Sequence, residues 1–426
     1  MRRLYRSFRS FDRPSQVLMV NQFTINLGFY MLMPYLAAYL AGPLALAAWA
    51  VGLVLGIRNF SQQGMFLIGG TLADRWGYKP LIIAGCLMRV IGFVLLALVS
   101  SLPAILIASA ATGFAGALFN PAVRAYLAAD AGERRIEAFA VFNVFYQAGI
   151  LLGPLVGLAL TALDFRLTSL CAAAVFAVLT LVQIKALPAT TPAPSSTSII
   201  QDWRSVVRNR RFLLFAAAMA SSYVLSFQVY LALPLHADRI ADNPTLATSV
   251  VTAMFVVTGL VAIAGQLRIT TWFGNRWGST GSLSVGMTLM AAAFLPLVAS
   301  TATHQRNIAL NIAALLLTAA LLAAATAAVF PFEMDTVVGL ARGTLVATHY
   351  GLYNTIVGIG ILLGNAATGW LFSAATTRDM PELVWIALVL TGMAAASALL
   401  LLHRRGWLSV ADRSSAHHNP LITLGG

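Results

Sequence analysis

The sequence predicts an all-α polytopic membrane protein with 12 transmembrane helices in two pseudo-symmetric six-helix bundles. Three observations predict it. Hydrophobic residues make up 59% of the 426 residues and charged residues only 10%, against about 25% charged in a soluble domain. Apolar runs of about 20 residues, the length a hydrocarbon core requires, recur along almost the whole chain, too continuous for barrel strands of period two. The chain also repeats itself. Gly-Ile-Leu-Leu-Gly stands at 149–153 and again at 360–364, with Asn143 and Asn354 each six residues ahead, and Arg75-Trp76-Gly77 returns as Arg276-Trp277-Gly278. Offsets of 211 and 201 residues mark a duplicated membrane half.

The elements follow in order. A basic N-terminal arm, 1–15, leads straight into the first apolar run, so no cleavable leader is expected. Twelve spans are read at roughly 16–40, 47–72, 80–99, 103–128, 137–161, 166–186, 212–234, 247–270, 281–300, 307–332, 344–373 and 383–403. Residues 16–186 form the first bundle and 212–403 the second. Between them, 187–211 is a hydrophilic break that opens with Pro188, Pro192, Pro194 and a Ser/Thr cluster. From Ile199 it alternates Ile200, Trp203, Val206 and Val207 with Asp202, Arg204, Arg208, Arg210 and Arg211. That pattern fits an amphipathic helix on the membrane surface, with Trp at the interface and Arg in the headgroups, as well as it fits a solvated linker. The tail 404–426 has no periodicity beyond Arg413 and is expected to lack structure, its His417-His418 too isolated for a metal site.

Basic residues set the topology. With both termini on one side, that side holds 20 Lys or Arg and the other four (Arg166, Arg239, Arg306, Arg378), while Arg58, Arg89 and Arg124 lie within spans. By the positive-inside rule both termini are cytoplasmic, in a cell (inner or plasma) membrane. The same asymmetry accounts for the net charge of +13 without nucleic acid, through attraction to anionic headgroups of membrane lipids. Cys86 and Cys171 fall inside spans as small packing residues. No disulfide framework, metal site or cofactor is indicated. Nor is there a Ser/His/Asp, paired-carboxylate or HExxH arrangement, so an enzyme is not expected.

Duplicated membrane halves with a site between them are the architecture of secondary transporters. The strongest motif, Gly70-Thr71-Leu72-Ala73-Asp74-Arg75-Trp76-Gly77-Tyr78-Lys79-Pro80, lies between spans 2 and 3. It resembles the G-x-L-A-D-R-x-G-R-K motif of the major facilitator superfamily, with Tyr78 at a usually basic position. The resemblance implies the major facilitator fold and a cytoplasmic gate. Gly70 and Gly77 permit close approach and a tight turn. Asp74 is expected to face the positive N-terminal end of span 11, near Gly343-Thr344, while Arg75 and Lys79 supply inside charge and ion-pair partners.

In span 5, Gly149, Gly153, Pro154 and Gly157 resemble the superfamily's antiporter motif, which implies export. The alternative is a generic close-packing face. Leu27-Gly28-Phe29, Arg58-x-Phe60-x-Gln62-Gln63-Gly64, Gln228-Val229 and Leu233-Pro234 are similar to the MdtH-like twelve-span multidrug exporters. One departure matters: the family's span-4 arginine, four residues before a Gly, is Ser109 here, before Gly113. Span 1 carries no carboxylate, and no Asp or Glu is read in the middle of any span.

The ionisable groups left at membrane depth are candidates for protonation or gating: Arg58, Arg89 and Arg124, Glu333 and Asp335 at the end of span 10, and His349 early in span 11. Arg124 and Asp335 are 211 residues apart and are expected to approach each other across the gate; snorkelling to the inner interface is the alternative for the arginines. His349 titrates near neutrality unaided, or packs with a bond to a backbone carbonyl. Substrate-cavity candidates are Asn26, Tyr30 and Tyr35 in span 1, Asn143, Tyr146 and Gln147 in span 5, Tyr223, Ser226, Gln228 and Tyr230 in span 7, and Tyr350, Tyr353 and Asn354 in span 11. Each can serve instead as an interhelical hydrogen bond. An aromatic cavity without a fixed acid suits amphiphilic compounds.

The expectation is therefore a monomeric transporter exporting small amphiphilic organic compounds, coupled to protons. Its alternatives are an exporter of one metabolite, siderophore or lipid, an uptake symporter, and a non-transporting sensor.

Overall fold

The computed structural model describes residues 2–161, 163–188, 198–302, 307–378 and 380–408. The Pro/Ser run at 189–197, Arg306 and the tail with His417 and His418 lie outside the described residues. Among the described residues every regular element is helical. In chain order these are α1 (Arg2–Arg9), α2 (Arg13–Tyr30), α3 (Met33–Ala41), α4 (Ala48–Gln63), α5 (Phe66–Trp76), α6 (Tyr78–Leu98), α7 (Leu102–Ala131), α8 (Arg135–Thr161) and α9 (Phe165–Ala186). After the break come α10 (Ile199–Arg208), α11 (Arg210–Ser226), α12 (Ala232–Ile240), α13 (Pro244–Ala292), α14 (Leu295–Ala302), α15 (Ile308–Ala341), α16 (Val346–Thr377) and α17 (Glu382–Arg404).

Among the described residues, eight stretches are long and apolar enough to cross a membrane by length and composition. Two of these, 102–160 and 245–302, run to 59 and 58 residues, nearly three times the roughly 20 a span needs, and each folds back on itself. The first turns at Gly132 (φ 54°), the second at Gly278 (φ 67°). The first two expected spans are not among these eight; each is broken into two shorter helices, α2–α3 and α4–α5.

The breaks have local causes. Pro34 and Pro234, 200 residues apart, have no N–H to donate to the carbonyls of Tyr30 and Tyr230, four residues back. The chain breaks at those points, between α2 and α3 and, through a short 3₁₀ turn Phe227–Tyr230, between α11 and α12. Pro296 does the same between α13 and α14. Discontinuous helices at matching points in two halves are a mark of transporter folds.

The backbone carries the repeat as faithfully as the sequence does. Gly77 (φ 90°) and Gly278 (φ 67°), 201 residues apart, both turn the chain in a conformation that glycine tolerates best. Gly132 (φ 54°) and Gly343 (φ 76°), 211 apart, do so ahead of α8 and α16, whose first residues are also 211 apart.

The Gly-Ile-Leu-Leu-Gly runs do the same work in each half. A Cβ on Gly149 would come 2.5 Å from the Phe23 carbonyl oxygen, and one on Gly153 2.7 Å from Tyr30 Cβ, seating α8 on α2. In the second half a Cβ on Gly360 would meet Ala220 at 3.0 Å, and one on Gly364 would meet Val224 at 2.5 Å, seating α16 on α11. Such contacts bring backbones together where no hydrophobic effect drives helices to associate. Gly153→Val and Gly364→Val should each cost about 1–3 kcal/mol of stability, measured by denaturant unfolding in detergent. Gly56→Val, where a Cβ would meet open space, should cost far less; equal losses at all three sites would refute this packing role.

Candidate functional site

The two halves meet most closely where α5 lies against α16. Gly70 and Gly351 allow it: a Cβ on Gly70 would collide with the carbonyl oxygen of Ala347, and one on Gly351 with that of Phe66. Asp74 then sits at the first turn of α16. Its Oδ1 accepts from the Ala347 N–H at 3.1 Å, and its Oδ2 from the Thr348 N–H at 2.7 Å and the Thr348 hydroxyl at 2.7 Å. First-turn N–H groups have no acceptor within their own helix and form the positive end of its dipole. The contact falls a few residues beyond the expected Gly343-Thr344. Arg342, Gly343 and Leu345 all take positive φ in the turn, so α16 begins only at Val346.

Asp74 lies past residue 72, the expected end of its span. Burial raises its carboxyl pKa, and the bonds from Thr348 and Ala347 act against that rise. The closed contact thus holds the group nearer to protonation than open water would.

The motif's basic residues are engaged beside it. Arg75 Nη2 meets Asp202 Oδ2 at 2.6 Å. Lys79 Nζ donates to the carbonyls of Ile184 (2.8 Å) and Leu187 (2.6 Å), tying α6 to the end of α9. The surface reading of 199–211 needs correcting. The helix forms as α10, with a Ser198/Gln201 capping box, but Trp203 is not an interfacial anchor. Its Nε1–H donates to Thr71 Oγ1 at 2.8 Å, and Asp202 is buried against Arg75. Asn209 Nδ2, just beyond, donates to the Leu340 carbonyl at 3.0 Å. The linker ties both halves together beside the Asp74 contact.

A second set of contacts lies behind the first. The expected approach of Arg124 to Asp335 is not made. Asp335 Oδ1 pairs instead with Arg135 Nε at 2.7 Å, because the α7–α8 turn delivers Arg135 beside α15. Arg124 Nη1 crosses to α16 and donates to Asn354 Oδ1 at 2.8 Å. Asn143, the pseudo-symmetric mate of Asn354, donates from Nδ2 to Gln266 Oε1 at 2.7 Å, joining α8 to α13. From Ala347 to Gly358 the contacts with α4 and α5 extend over about 16 Å of α16.

Glu333 also departs from expectation. Its helix does not stop at 332 but runs on to Ala341, so a carboxylate does lie inside a membrane helix, 2% exposed. It accepts a short hydrogen bond from the Tyr353 hydroxyl. Tyr223 and Arg124 are its further electrostatic neighbours. Neither Gln266 nor Arg135 was read as functional from sequence. Gln266 belongs to no motif, and Arg135 counts there only as one more inside charge.

The other candidates divide into two groups. Tyr350 donates to the Met334 carbonyl, Tyr35 to the Pro154 carbonyl, and Ser226 to the Ser222 carbonyl. Asn26 donates to the Tyr146 carbonyl, and Gln228 to the Val224 carbonyl and Asn365. These are interhelical and intrahelical ties. A Cβ on Gly157 would collide with the Met31 carbonyl, so the third motif glycine also packs within its own half. His349 is buried, with Nδ1 2.8 Å from the Leu345 carbonyl and its ring edge-on to Phe212. Tyr30, Tyr146, Gln147, Tyr223 and Tyr230 keep exposed surface, Tyr230 as much as 51%. Arg58 and Arg89 stand against Phe29 in the first half. Arg89, 3% exposed, does not snorkel.

Two helical halves, broken helices at matching points and a polar cluster between them define a membrane transporter fold. The chain matches the Major Facilitator Superfamily over residues 18–347 and belongs to that family. It is 63% identical over 394 residues to an uncharacterized MFS-type transporter of Mycobacterium tuberculosis, covering 92% of this chain and 94% of that one. It is 28% identical over 404 residues to the multidrug resistance protein MdtH of Yersinia pestis, covering 94% and 96%. Its fold is similar to that of the Escherichia coli fucose:proton symporter FucP, with a TM-score of 0.69 at 15% identity, covering 91% and 98%.

If the Asp74 cap holds α5 to α16, Asp74→Asn should free a contact worth up to about 2 kcal/mol. A cysteine at Thr355, whose hydroxyl lies 3.3 Å from the Gln63 carbonyl, should then react with N-ethylmaleimide about tenfold faster in a background without Cys86 and Cys171. An unchanged rate would show that the cap does not hold the helices.

Proposed function

We propose that this transporter exports small amphiphilic organic compounds by alternating access and exchanges them for protons, with both termini cytoplasmic. The observation that carries the reading is the Asp74 carboxylate capping α16 across the two halves. It is a contact that rocking must break and remake, since its hydrogen bonds can be made only while the halves are closed at that end. On this reading the structure is closed at the cytoplasmic gate, and the half-exposed tyrosines line the cavity.

Glu333 is the proton carrier we favour. It is buried between helices of the second half, bonded to a neutral donor, Tyr353, and within range of Arg124, which faces it from the first half. A proton on Glu333 would remove the charge that Tyr353 and Arg124 face. Those surroundings change when the halves part. Export rather than uptake draws on the 28% identity to MdtH. The span-5 glycines add less to it, since their echo in span 11 packs in the same way.

The test is flux in proteoliposomes with an interior pH dye and a panel of lipophilic cations, fluoroquinolone-like and siderophore-like compounds. Substrate-dependent proton movement should fall by about tenfold or more in Glu333→Gln. Its persistence would place the proton elsewhere. Labelled compound crossing with no proton movement at all would leave a facilitator. Accumulation in inverted but not right-side-out vesicles is the result expected for export.

A further inference from the structure

Two arginines of the first half take no part in the gate contacts, and neither has a counter-ion among the described residues. Arg89 on α6 is 3% exposed, and its Nε is buried without a hydrogen-bond partner. Its guanidinium carbon lies 4.7 Å from the Phe29 ring centre, 4.7 Å from that of Phe119 and 5.1 Å from that of Phe176. Gly116 on α7 makes the room, since a Cβ there would stand 3.2 Å from Arg89 Nη2. Arg58 on α4 stands over the same Phe29 ring at 4.6 Å. It donates to Asn59 Oδ1 at 2.7 Å and Gln62 Oε1 at 3.1 Å, and its Nε too is buried without a partner. The ion pairs among the described residues engage Arg75, Arg134 and Arg135, and neither Arg58 nor Arg89.

Two cations sharing one ring, at membrane depth and without a carboxylate, are a costly arrangement that aromatic faces offset only in part. The groups within electrostatic range are neutral or of like charge: for Arg89 they include Cys86, Arg58, Tyr30 and Tyr146. Tyr30, an electrostatic neighbour of both arginines, is also within range of Tyr230 on the opposite half, so Tyr30 stands beside the seam between the halves. Arg58 and Tyr30 are only partly buried and give access to it.

We propose that this end of the cleft binds the carboxylate of an amphiphilic organic acid. Arg58 donates to the carboxylate, and Arg89, behind Phe29, supplies the second positive charge. Tyr30 donates its hydroxyl, and Tyr146 and Tyr230 flank the apolar body. A planar carboxylate matches the guanidinium fork, and neither a neutral amide nor a cation balances the buried charge. The inference rests on the transport reading above and narrows its cargo to organic monoanions.

Calorimetric titration of the full-length protein in detergent at neutral pH tests it, with 2-naphthoate and its neutral near-isostere 2-naphthamide as probes. The acid should bind about tenfold more tightly than the amide. Arg89→Gln and Arg58→Gln should each erase that preference while leaving amide binding within about twofold. Arg89→Lys should keep part of it. Equal affinities for the two probes, no binding of naphthoate, or a preference that survives both Gln variants would overturn the proposal. Melting of the unliganded variants checks folding, and Arg89→Gln should melt no lower than the wild type because it removes an unpaired buried charge. Should that variant fail to fold, Arg58→Gln at the partly exposed position decides. Flux of other compounds in proteoliposomes alongside absent naphthoate binding would sink this inference alone and leave the transport reading standing.

Discussion

A carboxylate at a helix N-terminus is held by donors that have nowhere else to go, and only while the two helices touch. Asp74 and the first turn of α16 make that contact, and the residues around it are arranged to permit it. Gly70 and Gly351 remove the side chains that would hold α5 and α16 apart. The turn at Arg342–Leu345 delays the start of α16 until its free N–H groups face Asp74. Arg75 is drawn aside to Asp202, which leaves the helix end rather than a neighbouring cation to balance the Asp74 charge. Through Trp203 and Asn209, α10 adds a strap on both sides of the same contact.

The duplication explains why this contact occurs at one place and not two. Gly77 and Gly278 repeat the turn, and Arg75-Trp76 is repeated by Arg276-Trp277. The position 201 residues after Asp74, however, is Asn275, which carries no charge. The backbone repeat is preserved while the electrostatic latch exists in one copy. Similarly, Asn143 and Asn354 share a position yet bond to different partners, Gln266 and Arg124. Symmetry in the backbone sets where polar groups sit. What each one meets depends on the partner half, where the two copies have diverged.

That distinction also marks what was legible in the sequence. The helical class and the family could be read because apolar length, repeated strings and a long ordered motif are properties of the chain itself. The places where single helices break were less clear, although Pro34 and Pro234 cause two of them by removing one N–H each. Pairings between halves were not legible. Arg124 and Asp335 are pseudo-symmetric mates, but symmetry-related positions need not touch, and Arg135 reaches Asp335 from the neighbouring helix start. Glu333 was placed at a span end because apolar character fades there, whereas hydrogen bonding carries α15 on to Ala341. Trp203 looked like a membrane anchor because an indole beside arginines is equally suited to an interface and to a buried hydroxyl partner.

The charges at membrane depth are segregated by half. Arg58, Arg89 and Arg124 belong to the first half, and Glu333 and Asp335 belong to the second, Asp335 already paired with Arg135. Attraction across the cleft therefore depends on the state of very few groups. Arg124 is fixed by its bond to Asn354 and lies within range of Glu333, so a proton on Glu333 removes the negative charge that faces it. On the proposed reading an anion arriving between the halves would have the opposite effect on the first half, balancing Arg58 and Arg89, which no ion pair among the described residues engages. A proton and an organic anion would thus act on one electrostatic balance from opposite sides, one cancelling the second half's charge and the other cancelling the first half's. Two ligands that alter the same inter-half attraction are coupled by necessity, without direct contact between them.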